Sequence, residues 1–186
     1  MAHRTISDEE FLATALDLFR TYGYEGVSLK QLADATRLEK ASLYYRYPGG
    51  KEEIVMAVAG EVVNWFQKNV FEPLAGGGSA RKRVAFVTER LREFYLGGTK
   101  PCVTDVLSIP GATEELRVAL KGAMQAWIGA FAAVAKECGL PPALARSRAA
   151  EAVVRIEGSL VVARVLGETS TFEGALRIIP DLLTVA

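Results

Sequence analysis

Apolar residues recur along most of this chain at intervals of three and four, the period of a helix with one buried face. Phe11, Leu12, Ala15, Leu16, Phe19 and Tyr22 follow that period; Ser7 and Glu10 form a capping-box pattern ahead of them and Gly23 offers a stop. A second capping box, Ser28 with Gln31, opens a short helix whose Leu29, Leu32 and Ala33 face inward, and Leu38 closes the turn behind it. A third helix, about Lys40 to Tyr47, buries Leu43 and stops at Pro48. Lys51, Glu52 and Glu53 then start a long fourth helix carrying Ile54, Val55, Val58, Val62, Trp65, Phe66 and Val70, with Pro73 as its expected end.

The second half continues in the same way. Three consecutive glycines make Leu74–Ala80 a loop. From Arg81 to Leu96, Val84, Val87, Leu91, Phe94 and Tyr95 form one stripe with Phe86 off it, and Gly97, Gly98 and Pro101 break the helix. Cys102 to Ile109 reads either as a single helical turn or as an irregular crossing segment. Thr113 to Glu137 is a long helix, apolar nearly all round between Ala123 and Ala135, so burial on every side is expected there. Ala143 to Leu166 holds more apolar residues than one stripe can use, and the surplus calls for a partner. Ser170 and Glu173 are expected to cap a last helix, interrupted near Pro180. The pattern gives an all-α chain of about nine helices: a three-helix unit over residues 1–50 and a larger helical domain over 51–186.

Composition narrows the function. The 186 residues can bury a real core, and no uninterrupted apolar run reaches the ~20 residues that cross a bilayer. The start, MAHRTISDEE, lacks an apolar signal region, so a cytoplasmic protein without membrane contact is expected. Cys102 and Cys138 lack metal-ligand spacing and read as reduced thiols. The single histidine, His3, precedes the first helix, and no Ser/His/Asp, Cys/His or metal-ligand arrangement can be assembled; no enzyme, metal or cofactor is expected. Formal net charge is zero, but between residues 28 and 51 five cations face two acids. That patch has the size expected of a nucleic-acid module that doubles its contacts by dimerising.

The third helix leaves Lys40, Ser42, Tyr44, Tyr45 and Arg46 outward. Such a set can donate to phosphates, hydrogen-bond base edges and pack on thymine methyls, as a helix in a major groove must. The run SLYYRYPGGKEEI resembles the end of the DNA-binding domain of the TetR family of transcriptional regulators, and the resemblance spans roughly Arg4 to Val55. It departs from the family at Arg37, where Gly is usual, and at Glu39, where Ser or Thr usually caps the recognition helix. The resemblance, with the charge pattern, points to Arg4, Ser28, Lys30, Thr36, Arg37, Lys40, Ala41, Ser42, Tyr44, Tyr45, Arg46 and Lys51 as DNA-binding residues. Lys51 and Thr36 or Arg37 are expected on phosphates; Ser42, Tyr44 and Tyr45 are expected at or near bases.

The resemblance also implies a helix-turn-helix DNA-binding domain joined to a ligand-binding and dimerisation domain, and a homodimer on a near-palindromic double-stranded operator. EGSLVVARV followed by FEGAL further resembles the LmrA/YxaF-like branch. Its last two helices would pair with their symmetry mates, with Val153, Ile156, Gly158, Leu160, Arg164, Phe172, Leu176 and Ile179 as interface candidates. Trp65, Phe86, Phe94, Met124, Trp127 and Phe131 are the candidate lining of an effector pocket. Few charges accompany them, so a lipophilic or aromatic small molecule is expected to release a repressor from its operator. A helix-turn-helix regulator without an effector, its aromatics being plain core, is the alternative.

Overall fold

The computed structural model describes residues 6–107 and 113–185. Among the described residues the chain is helical: α1 (Asp8–Gly26), α2 (Leu29–Thr36), α3 (Lys40–Arg46), α4 (Gly50–Phe66), α5 (Glu72–Ala75), α6 (Ala80–Phe94), α7 (Val103–Leu107), α8 (Glu114–Glu137), α9 (Pro142–Leu166) and α10 (Ser170–Thr184). It divides into two compact units, Met1–Val63 with Val103–Ala119, and Asn64–Cys102 with Leu120–Ala186. The unit that holds the helix-turn-helix therefore runs past residue 50 to Val63, and it takes in a segment from much later in the chain.

In the first unit both expected capping boxes form. The Glu10 amide donates to Ser7 Oγ at 3.1 Å and the Ser7 amide to the Glu10 carboxylate at 3.3 Å. The Ser28 and Gln31 pair repeats this at 3.2 and 2.8 Å, satisfying donors that a helix start otherwise leaves open. Phe11, Ala15 and Phe19 of α1 form the core with Leu32 of α2, Leu43 of α3 and Ile54, Val55 and Val58 of α4, all buried. α7 packs on α1, with Val103, Val106 and Leu107 buried, so the ambiguous segment is helical over Val103–Leu107, and its last two residues, 108 and 109, lie outside the described residues. Gly23, with φ 70° and ψ 175°, leaves helical geometry within α1, so the regular helix stops there as expected and a short helical turn continues to Gly26.

In the second unit α10 packs on both α6 and α9. Val84, Val87 and Leu91, Phe131 and Val134, Ile156 and Leu160, and Phe172, Leu176 and Ile179 share its core. After α6 a tight turn over Leu96–Gly98 passes so close to α10 that a Cβ on Gly98 would lie 2.9 Å from Phe172 Cδ1, and its φ of 97° independently favours glycine.

Several expectations shift. Pro73 does not end the fourth helix: a π-helical turn at Gln67–Phe71 leads into α5, where Pro73 occupies the first turn, a position that needs no amide hydrogen. The helix gives way at Gly76, the first of the glycines. Pro180 is itself buried and lies inside an unbroken α10. The Ser170 and Glu173 cap does not form, because Thr169 precedes the helix and the Glu173 carboxylate accepts from Arg92 Nε at 2.9 and 3.0 Å. α8 is not buried all round either. Trp127, Phe131, Val134 and Ala135 are buried, while Gly122, Ala126, Gly129 and Ala133 are exposed. Alanine and glycine look apolar in a sequence but offer little area to bury. By length and composition alone α8 could cross a bilayer, yet its aromatic side is committed to this core.

Candidate nucleic-acid interface

The turn between α2 and α3 is built on backbone strain. Arg37 adopts the left-handed conformation, φ 57° and ψ 31°; its amide donates to the Asp34 carbonyl at 3.3 Å, and the Leu38 amide reaches back to the Ala33 carbonyl at 3.0 Å. This is the helix-ending arrangement for which glycine is the usual residue, so the arginine carries about 1 kcal/mol of strain. Glu39 precedes α3 without making a side-chain cap. α3 is thus held by its neighbours: Leu43 is 1% exposed, while Tyr44 and Tyr45 next to it are 52% and 89% exposed. A seven-residue helix anchored on one leucine thus presents two adjacent tyrosines to solvent.

The structure separates the twelve candidate DNA-binding residues. Lys30, Arg37, Lys40, Ala41, Tyr44 and Tyr45 are exposed and Ser42 is half-buried. Arg4 lies outside the described residues. Ser28 is exposed, but its hydroxyl accepts the Gln31 amide in the capping box. Thr36 is buried, with Oγ1 donating to the Leu32 carbonyl at 2.6 Å, so as a phosphate contact it is corrected to a helix-end brace. Arg46 turns back to the start of α1: one guanidinium nitrogen donates to the Ile6 carbonyl at 3.1 Å and another lies 3.4 Å from Asp8. Lys51 reaches the end of the same helix, its Nζ donating to the Tyr24 carbonyl at 3.0 Å and lying 4.3 Å from the centre of the Tyr24 ring. Two cations that sequence reasoning assigned to DNA therefore tie the ends of α1 to the two sides of the Pro48–Gly50 turn. Spacing along the chain gives no sign of this, because the partners are 40 and 27 residues away.

α4 begins with a side-chain cap of its own, the Glu53 carboxylate accepting the Gly49 amide at 2.8 Å. Burial, with Glu52 and Glu25, pushes the Tyr24 hydroxyl above the usual tyrosine range. Tyr47, stacked on Phe11 at 5.2 Å, is raised as well, by burial and then Asp8, with Arg46 opposing. Both phenols remain neutral at physiological pH.

Of the candidate effector-pocket residues, five gather in the second unit. Trp65 lies 4.2 Å from Phe94 between ring centres, Phe66 lies 5.1 Å from Trp127, and Trp127 lies 6.1 Å from Phe131. Met124 is half-buried against the same core. Phe66, not among the candidates, joins the group by touching Trp65, Phe94 and Trp127; its place beside Trp65 in the apolar run of the fourth helix was the available signal. Phe86 does not join them. It is 53% exposed and lines an open groove of about 380 Å³ between α6 and α10 with Thr88, Arg92, Leu176, Arg177 and Pro180. Its position off the buried stripe of α6 accounts for this.

The dimer candidates divide in the same manner. Val153, Ile156, Leu160, Phe172, Leu176 and Ile179 are all buried in the protomer's own core, which corrects their assignment to an interface. Gly158 and Arg164 are exposed. Beside them on α9 stand Val154, Val161, Val162, Val165 and Leu166, between 38% and 75% exposed, with Ile178 exposed on α10. Residues 154, 158, 161 and 165 share one helical face. That phase was present in the sequence, but nothing there said which of two apolar faces turned inward.

Among the described residues, no group of three His, Cys, Asp or Glu side chains could hold a metal ion.

Residues 11–58 match the family model of bacterial regulatory proteins of the tetR family, and residues 80–177 match that of the LmrA/YxaF-like transcriptional regulator C-terminal domain. The HTH-type transcriptional regulator LmrA of Bacillus subtilis is 24% identical, over 95% of this chain and 96% of its own length. The crystal structure of a TetR transcriptional regulator from Legionella pneumophila superposes with a TM-score of 0.85 at 21% identity, covering 97% of this chain and all of the other. That of the regulator FadR of Bacillus subtilis, in complex with stearoyl-CoA, superposes with a TM-score of 0.73 at 14% identity over 96% and 98% of the two chains.

Proposed function

This chain belongs to the TetR family of transcriptional regulators, with an LmrA/YxaF-like C-terminal domain, and from that premise we propose that it is a homodimeric, cytoplasmic repressor released from its operator by a lipophilic or aromatic small molecule. The observation that carries the DNA-binding half is the pair Tyr44 and Tyr45, left in solvent by a helix whose other side is locked by Leu43. With Lys30, Arg37 and Lys40 exposed around them, the two tyrosines supply a base-reading centre within a phosphate-binding frame. A dimer placing two α3 helices about 34–36 Å apart would enter successive major grooves of a near-palindromic site. The apolar surplus on α9 and α10, Val154, Val161, Val165 and Ile178 above all, supplies the partner surface.

The effector half rests on the aromatic cluster around Trp127 and on the likeness in fold to a regulator crystallised with an acyl-CoA. The chain crosses between the two compact units at Val63–Asn64 within α4, at Cys102–Val103 and at Ala119–Leu120 within α8, and the two helical crossings are the paths along which a bound ligand would shift the population of DNA-binding geometries. A second reading, regulation without a small molecule, draws on the close contact between Trp65 and Phe94.

The test is selection of operator fragments from genomic DNA with purified protein. Titrations of wild type, Tyr45→Ala and Lys40→Ala follow, and then an operator-release screen across neutral aromatics, acyl compounds, sugars and charged metabolites. Selected sites with two half-sites one turn apart, lost with Tyr45→Ala, are the expected result. Release by no compound favours the second reading, and release only by a sugar or a charged metabolite overturns the lipophilic-effector assignment.

A further inference from the structure

Trp127 is 3% exposed, and its indole nitrogen is buried with no hydrogen-bond acceptor among the described residues. A donor removed from water without a replacement partner is costly, and native interiors rarely tolerate it without a purpose. Its surroundings offer rings instead of acceptors. Phe66 stands against it at 5.1 Å and 73°, and Phe131 at 6.1 Å and 49°. An edge-on ring recovers only a small part of a lost hydrogen bond.

The cluster is not sealed. Trp65, Phe66, Phe94, Met124 and Ile128 are only partly buried where they pack against the core. The buried donor therefore belongs to a core bordered by half-buried apolar side chains, of which Phe66 stands against the indole itself. Polar groups at the border are already engaged: Asn69 donates to the Trp65 carbonyl at 2.9 Å and accepts from Arg90 Nε at 3.1 Å, and Arg90 is paired with Glu93. No cation among these groups is left to neutralise a carboxylate or phosphate.

From this arrangement we infer that Trp127 Nε1–H is the polar anchor of the effector site, and that the effector is a neutral, largely apolar molecule bearing one hydrogen-bond acceptor, such as an aryl ketone. The inference rests on the effector reading above and sharpens it: the rings supply contact area and the buried indole donor of Trp127 supplies orientation. Anionic ligands are disfavoured because an ion stripped of water needs an opposite charge or several donors.

The test uses the full chain and a matched pair of probes, 2-acetylnaphthalene and 2-ethylnaphthalene, which differ in a carbonyl against a methylene. Protein labelled with ¹⁵N-tryptophan gives two indole signals, from Trp65 and Trp127, assigned with a Trp65→Phe variant. The ketone is expected to bind at least about tenfold more tightly than the hydrocarbon and to move the Trp127 indole proton downfield. In Trp127→Phe the preference should vanish while hydrocarbon binding persists. Equal affinity of the two probes, an unmoved Trp127 signal in the ketone complex, or a preference retained in Trp127→Phe would each overturn the assignment. So would failure of both probes to bind. The effector reading itself stands or falls separately, on the operator-release screen: a releasing compound without an acceptor, or one that is charged, sinks the Trp127 anchor and leaves an effector in place.

Discussion

The Lys51 ammonium donates to the Tyr24 carbonyl and rests on the Tyr24 ring, so the first residue side chain of α4 holds the end of α1. A lysine in this position was expected on DNA phosphate. If it is instead a brace, Lys51→Ala should lower the stability of the N-terminal unit by about 1–3 kcal/mol, the range for a hydrogen bond from a charged donor plus a cation–π contact. Operator affinity should fall, yet the slope of log K against log salt should stay that of wild type. A slope flattened by about 0.9, the signature of one lost phosphate contact, would return Lys51 to the DNA interface.

Arg37 and Glu39 are the two departures from the family pattern, and each leaves a measurable trace. Arg37→Gly removes left-handed strain at an exposed site and should stabilise the protein by about 1 kcal/mol in denaturant titration. The same change should weaken DNA binding and flatten the salt slope by about one contact. Glu39→Ser supplies the missing cap of α3 and should add about 1 kcal/mol without altering the slope. An Arg37→Gly protein less stable than wild type would show that the side chain makes a compensating contact.

Neighbouring residues of α9 should respond in opposite ways. Val161→Glu and Val165→Glu place a charge on the exposed face and should leave a folded monomer, with dimerisation weakened by about 3 kcal/mol or more. Leu160→Glu instead buries the charge in the protomer core and should prevent folding. Light scattering with circular dichroism separates the two outcomes. A dimer unchanged by both valine substitutions places the interface elsewhere.

Alkaline stability should depend on Tyr24 and Tyr47, both raised above the usual tyrosine value by burial first and nearby carboxylates next. Their folded forms favour the neutral phenol, so the stabilisation is complete below about pH 10, the unfolded value. It is lost as pH climbs toward the raised folded values. Thermal unfolding of wild type should therefore weaken more steeply above pH 10 than that of Tyr24→Phe/Tyr47→Phe. Parallel curves would remove these phenols from the balance.

The helices themselves were legible without coordinates, because capping and period are local. Ser7 with Glu10 and Ser28 with Gln31 form the expected boxes, and the stripes Val84–Val87–Leu91 and Phe11–Ala15–Phe19 are buried as their spacing requires. At Arg37 the family resemblance marked a position where glycine is usual, and the structure shows the left-handed φ of 57° that goes with it. Of the five α3 residues expected outward, Lys40, Tyr44 and Tyr45 are exposed because Leu43 fixed the phase of a helix only seven residues long, whereas Ser42 and Arg46 are half-buried.

What the sequence left open was decided by contacts between distant segments. α9 has two apolar faces, and only the packing of α10 against it selected Ile156 and Leu160 for the core and Val161 and Val165 for solvent. Thr36, Arg46 and Lys51 carry the right chemistry for phosphate, but each already gives a donor to a carbonyl oxygen, of Leu32, Ile6 and Tyr24 in turn. A cation's pattern along the chain records its charge; which acceptor it meets depends on which backbone oxygen the fold brings within 3 Å. The unpartnered indole of Trp127 lies at the same limit, since a missing hydrogen bond is a property of everything around the group. Local periodicity determined the helices of this protein, and tertiary packing determined which of their polar groups remain free to bind anything else.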